Sequence, residues 1–250
     1  MTQDQIVTAA MLVIGDEILS GRTKDKNIGL VADYLTELGI DLKEVRIVAD
    51  ERDDIIEAVN ALRNKYDYVF TSGGIGPTHD DITAESVSAA FGVPCTHHPK
   101  AMKEMAEFYA KQGLEFTESR KRMARTPEGA DLIDNPISKA PGIKMENVFI
   151  MAGVPKIMQS MMDAIAPTLE GGTKLLSVAI ECPHGEGKIG GPLAKIQNDH
   201  PETMIGSYPR YDSGNYSTQI VIRSRSKAAL ANAENDVKSM LKTLAQERLS

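Results

Sequence analysis

The stretch from Tyr68 to Glu85, YVFTSGGIGPTHDDITAE, constrains this chain more than any other. Tyr68, Val69 and Phe70 are of the types that fill a buried strand, and Ile82 to Phe91 read as a helix with Ala84, Val87 and Phe91 on one face. Between them lies a turn the size of a phosphate. Gly73, Gly74 and Gly76 permit backbone conformations closed to other residues and let N–H groups approach a ligand, while the positive end of the following helix favours an anion. Asp80 and Asp81 stand where that anion would sit, and two carboxylates repel a phosphate unless a divalent cation lies between or one of them acts as a base. A second reading is open: Thr78 and Asp81 have capping-box spacing and could simply satisfy the helix start. The P-loop is excluded by its missing Lys-Ser/Thr ending, and the dinucleotide fingerprint by Pro77-Thr78 in place of its third glycine.

Elsewhere, strands alternate with helices. Ala9–Ile14 reads as a buried strand, followed at its end by Asp16 and Glu17, which either contact a metal or hydroxyl or simply cap a turn and face water. A helix is expected over Asp25–Leu38, striped by Ile28, Val31, Leu35 and Leu38 and closed by Gly39. A strand over Asp41–Val48 precedes a second helix with Ile55, Val59 and Leu62 in register, which Asp50 and Asp53 could cap. This alternation implies parallel pairing with right-handed crossovers.

Past Phe91 the pattern changes. Pro94 to Pro99 reads as a turn before a helix with Met102, Met105 and Phe108 on one face, and Cys95-x-His97-His98 reads as surface loop for want of further zinc ligands. Ser119-Arg120-Lys121-Arg122 with Arg125 is the most basic patch, either a solvated helix face or a phosphate clamp. Arg125–Lys144 is expected to be a structured loop, in which Asn135 and Ser138 suit either a ligand or a turn. A strand over Val148–Met151 leads into a helix carrying Ile157, Met161 and Ile165, with Met158, Met161 and Met162 as core or subunit contacts. Gly171-Gly172 marks a boundary, giving domains at 1–170 and 174–250. The second reads β-α-β-β-α, with strands at Lys174–Glu181, Met204–Tyr208 and Thr218–Arg223, and helices at Leu193–Asn198 and Ala228–Leu249.

Composition narrows the function classes. Apolar content of 42% and charged content of 25% are those of a globular protein, and a formal charge of −7 argues against broad nucleic-acid binding. Cys95 and Cys182 make no disulfide framework, and neither a secretion signal nor a membrane-spanning run is visible. A cytoplasmic protein without nucleic-acid or membrane partners is expected.

TSGGIGPTHDDIT resembles the GG-x-GPT-x-DD-x-T signature of the molybdopterin-binding (MoaB/Mog-like, MoCF) domain, in the branch formed by the N-terminal part of competence/damage-inducible protein CinA. Gly15-Asp16-Glu17-Ile18-Leu19, Gly21-Arg22 with Asp25 and Asn27, Asn135 through Ala140-Pro141-Gly142, and Gly153-Val154-Pro155 match it in order, with Ile137 standing where the family usually has glycine. The resemblance implies an α/β, three-layer domain with a mainly parallel sheet, followed by a small α+β, KH-like domain in which Gly187-Lys188-Ile189-Gly190 fits a GxxG loop. CinA proteins often continue into a nucleotide deamidase domain; the chain is expected to lack it.

Function by resemblance is that of a metal-dependent nucleotide pyrophosphatase acting on ADP-ribose or related dinucleotides, an equivalent domain occurring in eukaryotic FAD synthases. Gly73, Gly74, Gly76 and Thr78 would hold phosphate, and Asp80, Asp81 and Glu17 a divalent Mg²⁺, Mn²⁺ or Co²⁺, with Asp80 and Asp81 catalytic. Asp16 and Glu17 would complete the acidic wall, Gly15 and Asp50 would belong to the phosphate and ligand site, and Asn135, Ser138 and Lys139 would contact the nucleotide or pterin end. Molybdopterin binding with adenylyl transfer, or ligand binding without turnover, are the alternatives, and the resemblance implies a homo-oligomer.

Overall fold

Successive residues of a strand face opposite sides, so a strand apolar at every position must be covered on both faces. The first strand, β1 (Val7–Ile14), is such a strand over Ala9–Ile14, all six residues being apolar and buried. In the computed structural model, which describes residues 5–212 and 215–246, it is followed by α1 (Asp16–Leu19), α2 (Asn27–Leu38), β2 (Ile40–Val48), α3 (Arg52–Arg63), β3 (Tyr68–Ser72) and α4 (Thr83–Phe91). Then come β4 (Cys95–His97), α5 (Pro99–Lys111), α6 (Glu118–Arg122), β5 (Arg125–Pro127), β6 (Asp131–Ile133), β7 (Gly142–Met145), β8 (Val148–Met151) and α7 (Pro155–Ile165). The remaining elements are β9 (Leu176–Cys182), α8 (Glu186–Asp199), β10 (Met204–Asp212), β11 (Asn215–Ser224) and α9 (Lys227–Gln246).

Among the described residues, six strands form one sheet in the order β2-β1-β3-β8-β7-β6. The pairs β1–β2, β1–β3 and β3–β8 are parallel, and the β6–β7–β8 edge is antiparallel. Alternate residues of β1 divide between two cores. Ala9, Met11 and Val13 pack with Val31 and Leu35 of α2 and with Met158 and Met161 of α7. Ala10, Leu12 and Ile14 pack with Ile55, Val59 and Leu62 of α3 and Val87 of α4. Each such buried aliphatic side chain contributes roughly 1.5–3 kcal/mol, which fixes a three-layer α/β sandwich. Met158, Met161 and Met162 are buried core residues.

Several boundaries differ from expectation. Helix α2 begins at Asn27, because the Asp25 carboxylate accepts the Ile28 amide at 2.8 Å and so precedes the helix. Cys95–His97 is strand rather than turn, paired antiparallel with β5, and the loop expected over Arg125–Lys144 contains β5, β6 and the start of β7. Strands of three or four residues interrupted by Pro and Gly carry no periodic signal.

The chain divides after Gly172, with one compact unit over Gln5–Gly172 and the other from Thr173 onward. A Cβ on Gly171 would lie 2.2 Å from the Leu38 carbonyl oxygen, and one on Gly172 would lie 2.6 Å from that of Gln5. In the second unit β10-β11-β9 form an antiparallel sheet whose Ile220 and Ile222 pack with Ile189 and Leu193 of α8 and with Ala233 and Val237 of α9. The GxxG expectation fails here: Gly187–Gly190 lies inside α8, which starts at Glu186 rather than Leu193. Burial of Ile189 and Leu193 one turn apart outweighs the helix-weakening glycines and Pro192. The expected end of α9 at Leu249 lies outside the described residues. Among the described residues no helix is long and apolar enough to cross a membrane.

Candidate functional site

Parallel pairing brings the carboxyl ends of β1, β3 and β8 to one edge of the sheet, where Val13 pairs with Ser72 and Ser72 with Met151. Loops leaving these ends open a cleft of about 600 Å³. Asn27 braces this edge from α2: its buried amide donates to the Ser72 hydroxyl at 2.7 Å and to the Gly153 carbonyl at 2.8 Å.

The glycine turn takes its shape from packing against protein. Gly73 and Gly74 have φ of 109° and 67°. A Cβ on Gly73 would lie 2.1 Å from the Ile14 carbonyl oxygen, and one on Gly74 would lie 2.1 Å from the Thr83 hydroxyl. Thr83 ties the turn to α4, its amide donating to the Gly74 carbonyl and its hydroxyl to the Gly73 carbonyl, both at 3.0 Å. Helix α4 therefore begins at Thr83, one residue later than expected. The Gly73 amide bonds Met151, whereas among the described residues the amides of Gly74, Ile75 and Gly76 have no protein acceptor. Three successive unpaired N–H groups at a cleft wall are the donors a phosphate needs.

Of the residues expected in the site, Gly15, Glu17, Asp50, Gly73, Gly74, Gly76, Asp80, Asp81, Asn135 and Ser138 line this cleft. Asp16, Thr78 and Lys139 do not. Lys139 lines a neighbouring cavity and lies 3.6 Å from Asp134, with a left-handed backbone, φ 60°. Asn135 is 2% exposed and spends its side chain on its own loop, donating to the Ser138 hydroxyl and the Ala140 carbonyl at 2.7 Å and accepting from the Ile137 amide. It shapes the loop.

The Thr78–Asp81 pair forms one half of a capping box, on a turn ahead of the helix: Asp81 Oδ2 accepts from the Thr78 amide at 2.8 Å and from its hydroxyl at 2.5 Å. Asp50 does not cap α3, whose start has no side-chain cap; its Oδ2 accepts the Asp16 amide at 3.0 Å. Burial pushes the Asp50 carboxyl up, the Asp16 amide opposes this, and the charges of Asp16, Glu17 and Asp80 add to the rise.

Among the described residues, no group of three or more His, Cys, Asp and Glu is placed to hold a metal ion unaided. The donor set still suits a Mg²⁺-type ion. Such a cation takes one or two carboxylates and completes its shell with water and substrate phosphate, and Glu17, Asp50, Asp80 and Asp81 are hard-oxygen residues among those lining the cleft.

The cleft also has an apolar lining, unforeseen from the sequence, that includes Tyr109, Met123, Ile157 and Met161. Phe116 stacks on Tyr109 at 5.5 Å between centroids, and the Arg120 guanidinium lies 4.4 Å from the same ring. Gly153-Val154-Pro155, matched in the sequence only as a motif, also lines the cleft. Arg122 and Arg125 do not.

Residues 10–171 match the family described as "Probable molybdopterin binding domain", and residues 174–248 match "FAD synthase, middle domain". The chain belongs to the molybdopterin-binding-domain family, and within it is CinA-like. It is similar to a protein of Aeropyrum pernix, 32% identical over 252 residues that cover 96% of this chain and 92% of the other. A CinA-like protein of Sulfurihydrogenibium sp. is 35% identical over 159 residues, 61% of this chain and 40% of that one. Among solved structures, that of CinA from Thermoplasma acidophilum is similar with a TM-score of 0.60 and 31% identity, covering 65% of this chain and 98% of that chain.

Proposed function

We propose that this protein is a divalent-metal-dependent nucleotide pyrophosphatase acting on ADP-ribose or a related dinucleotide. The observation carrying this reading is that four carboxylates, Glu17, Asp50, Asp80 and Asp81, line the same cleft as the unpaired amides of Gly74–Gly76. Anion donors beside an acidic wall suit a phosphate that arrives with a cation. The apolar wall around Tyr109, Met123 and Met161 suits a base or pterin ring.

In this reading the Gly74, Ile75 and Gly76 amides hold the diphosphate, and Glu17, Asp80 and Asp81 hold Mg²⁺, Mn²⁺ or Co²⁺. A cation held there would supply charge neutralisation at the phosphate and would acidify water. Asp50, its carboxyl raised by burial and its Oδ2 already engaged by Asp16, keeps Oδ1 to accept a proton from the attacking water. Water adds to one phosphorus, the bridging P–O bond breaks, and two phosphomonoesters leave.

A product assay tests this: ADP-ribose, FAD, NAD and ATP, each with Mg²⁺, Mn²⁺ or Co²⁺ and with an EDTA control. Metal-dependent release of AMP is expected. No release from any of them would sink the reading in favour of molybdopterin binding or adenylylation, which the family match favours; accumulation of an adenylylated pterin only with ATP would then mark that chemistry.

A further inference from the structure

The basic residues around α6 line a second cavity that shares no lining residue with the cleft. This cavity is shallow and open to solvent, and its wall includes Arg122, Arg125, His97, Ser119 and Glu118. Antiparallel pairing of β4 with β5 sets His97 opposite Arg125, so residues distant in sequence share one rim. Arg122 and Arg125 both pair with Glu85, Arg122 at 3.5 Å and Arg125 in close contact. Glu118 is answered by Lys121. One carboxylate for two guanidinium groups leaves a positive charge on the cavity wall.

Arg122 is also poorly satisfied. Its other polar contact, to the Asp81 carbonyl, is 3.3 Å long, and its buried Nε has no protein acceptor. A guanidinium offers five donors in a planar fork matched to two oxygens of a phosphate, and an adjacent pair of such forks favours a dianion over a carboxylate.

We propose that this cavity is a second oxyanion site, taking a doubly charged phosphate group, free or carried as a monoester, between Arg122 and Arg125, with Glu85 as the carboxylate it competes against. The test is titration calorimetry of the full chain with inorganic phosphate and, separately, with methyl phosphate. Saturable binding is expected. Arg125→Gln should weaken it by roughly tenfold, the effect of losing a hydrogen bond to a charged group. Glu85→Gln should tighten it several-fold, a gain that misfolding cannot produce. Tighter binding of methyl phosphate would identify the monoester as the ligand, and tighter binding of phosphate the free ion.

Glu85, Arg122 and Arg125 reach the back of the glycine turn, lining a small pocket with Gly74, Gly76 and Asp81, but Glu85 and Arg125 do not line the cleft itself, whereas Asp80 does. If Asp80→Asn rather than Glu85→Gln sets the affinity, the phosphate sits in the cleft and the proposal falls. Absence of binding, or wild-type affinity in both Glu85→Gln and Arg125→Gln, overturns it equally.

Discussion

The Asp50 carboxylate, two residues past the end of β2, accepts the backbone amide of Asp16, two residues past the end of β1, at 3.0 Å. The bond joins loops from neighbouring parallel strands and turns a residue suited to helix capping into part of the acidic wall. Its carboxyl is raised above 3.8, so the group favours the folded state most at low pH and loses that contribution as pH rises through its folded value. Asp50→Asn keeps an oxygen for the Asp16 amide and removes the charge. Its melting temperature should exceed that of wild type by about 1–2 °C at neutral pH, and the gap should close in acid. Turnover should fall by roughly a hundredfold. Thermal melts across pH, with AMP release, check both.

Gly73→Ala should be costly for structural reasons alone. It combines a φ of 109° with a Cβ 2.1 Å from the Ile14 carbonyl oxygen, and a loss of about 3 kcal/mol is expected. Gly92→Ala is the comparison, since Gly92 has φ 68° but open space around it, for a loss of about 1 kcal/mol. Urea unfolding of both separates contact from strain; equal losses would discount the Ile14 contact.

Asp81 has two separable duties. Asp81→Ala removes the acceptor for Thr78 and should cost about 1 kcal/mol. Asp81→Asn retains an acceptor and should leave the melting curve nearly unchanged while reducing turnover more than a hundredfold. Wild-type rates in the Asn variant, with metal bound normally, would refute the catalytic assignment.

Tyr109→Phe tests the apolar wall. Among the described residues the Tyr109 hydroxyl has no hydrogen-bond partner, while its ring is held by Phe116 and Arg120. Stability should change by less than about 0.5 kcal/mol. A rise in KM of roughly tenfold is expected if the hydroxyl contacts the ligand ring, with kcat preserved. An unchanged KM would leave the ring as a purely apolar surface.

Local pattern carried much of this in the sequence. The parallel sheet follows from apolar strands and helical stripes separated by short turns, as in β1 against α2 and α3. The glycine turn was legible as a turn, but not the reason for it: that Gly73 meets Ile14 and Gly74 meets Thr83 depends on contacts 59 and nine residues apart. Asp50 was legible only through the family resemblance, and Tyr109 not at all, for a similar reason. Asp50 has the spacing of a cap, and Tyr109 follows Met102, Met105 and Phe108 in what reads as a packing helix; only tertiary placement brings both to the cleft. The GxxG segment shows the converse, a short motif overruled by the helical burial of Ile189 and Leu193.

The Gly171-Gly172 pair has a consequence for how such chains can arise. It closes tightly on Leu38, Gln5 and Gly39, all within the first unit, and among the described residues each unit has buried clusters of its own. A recombination breakpoint just after Gly172 would leave both cores whole. The different family matches on its two sides are what gene fusion at such a seam would leave behind.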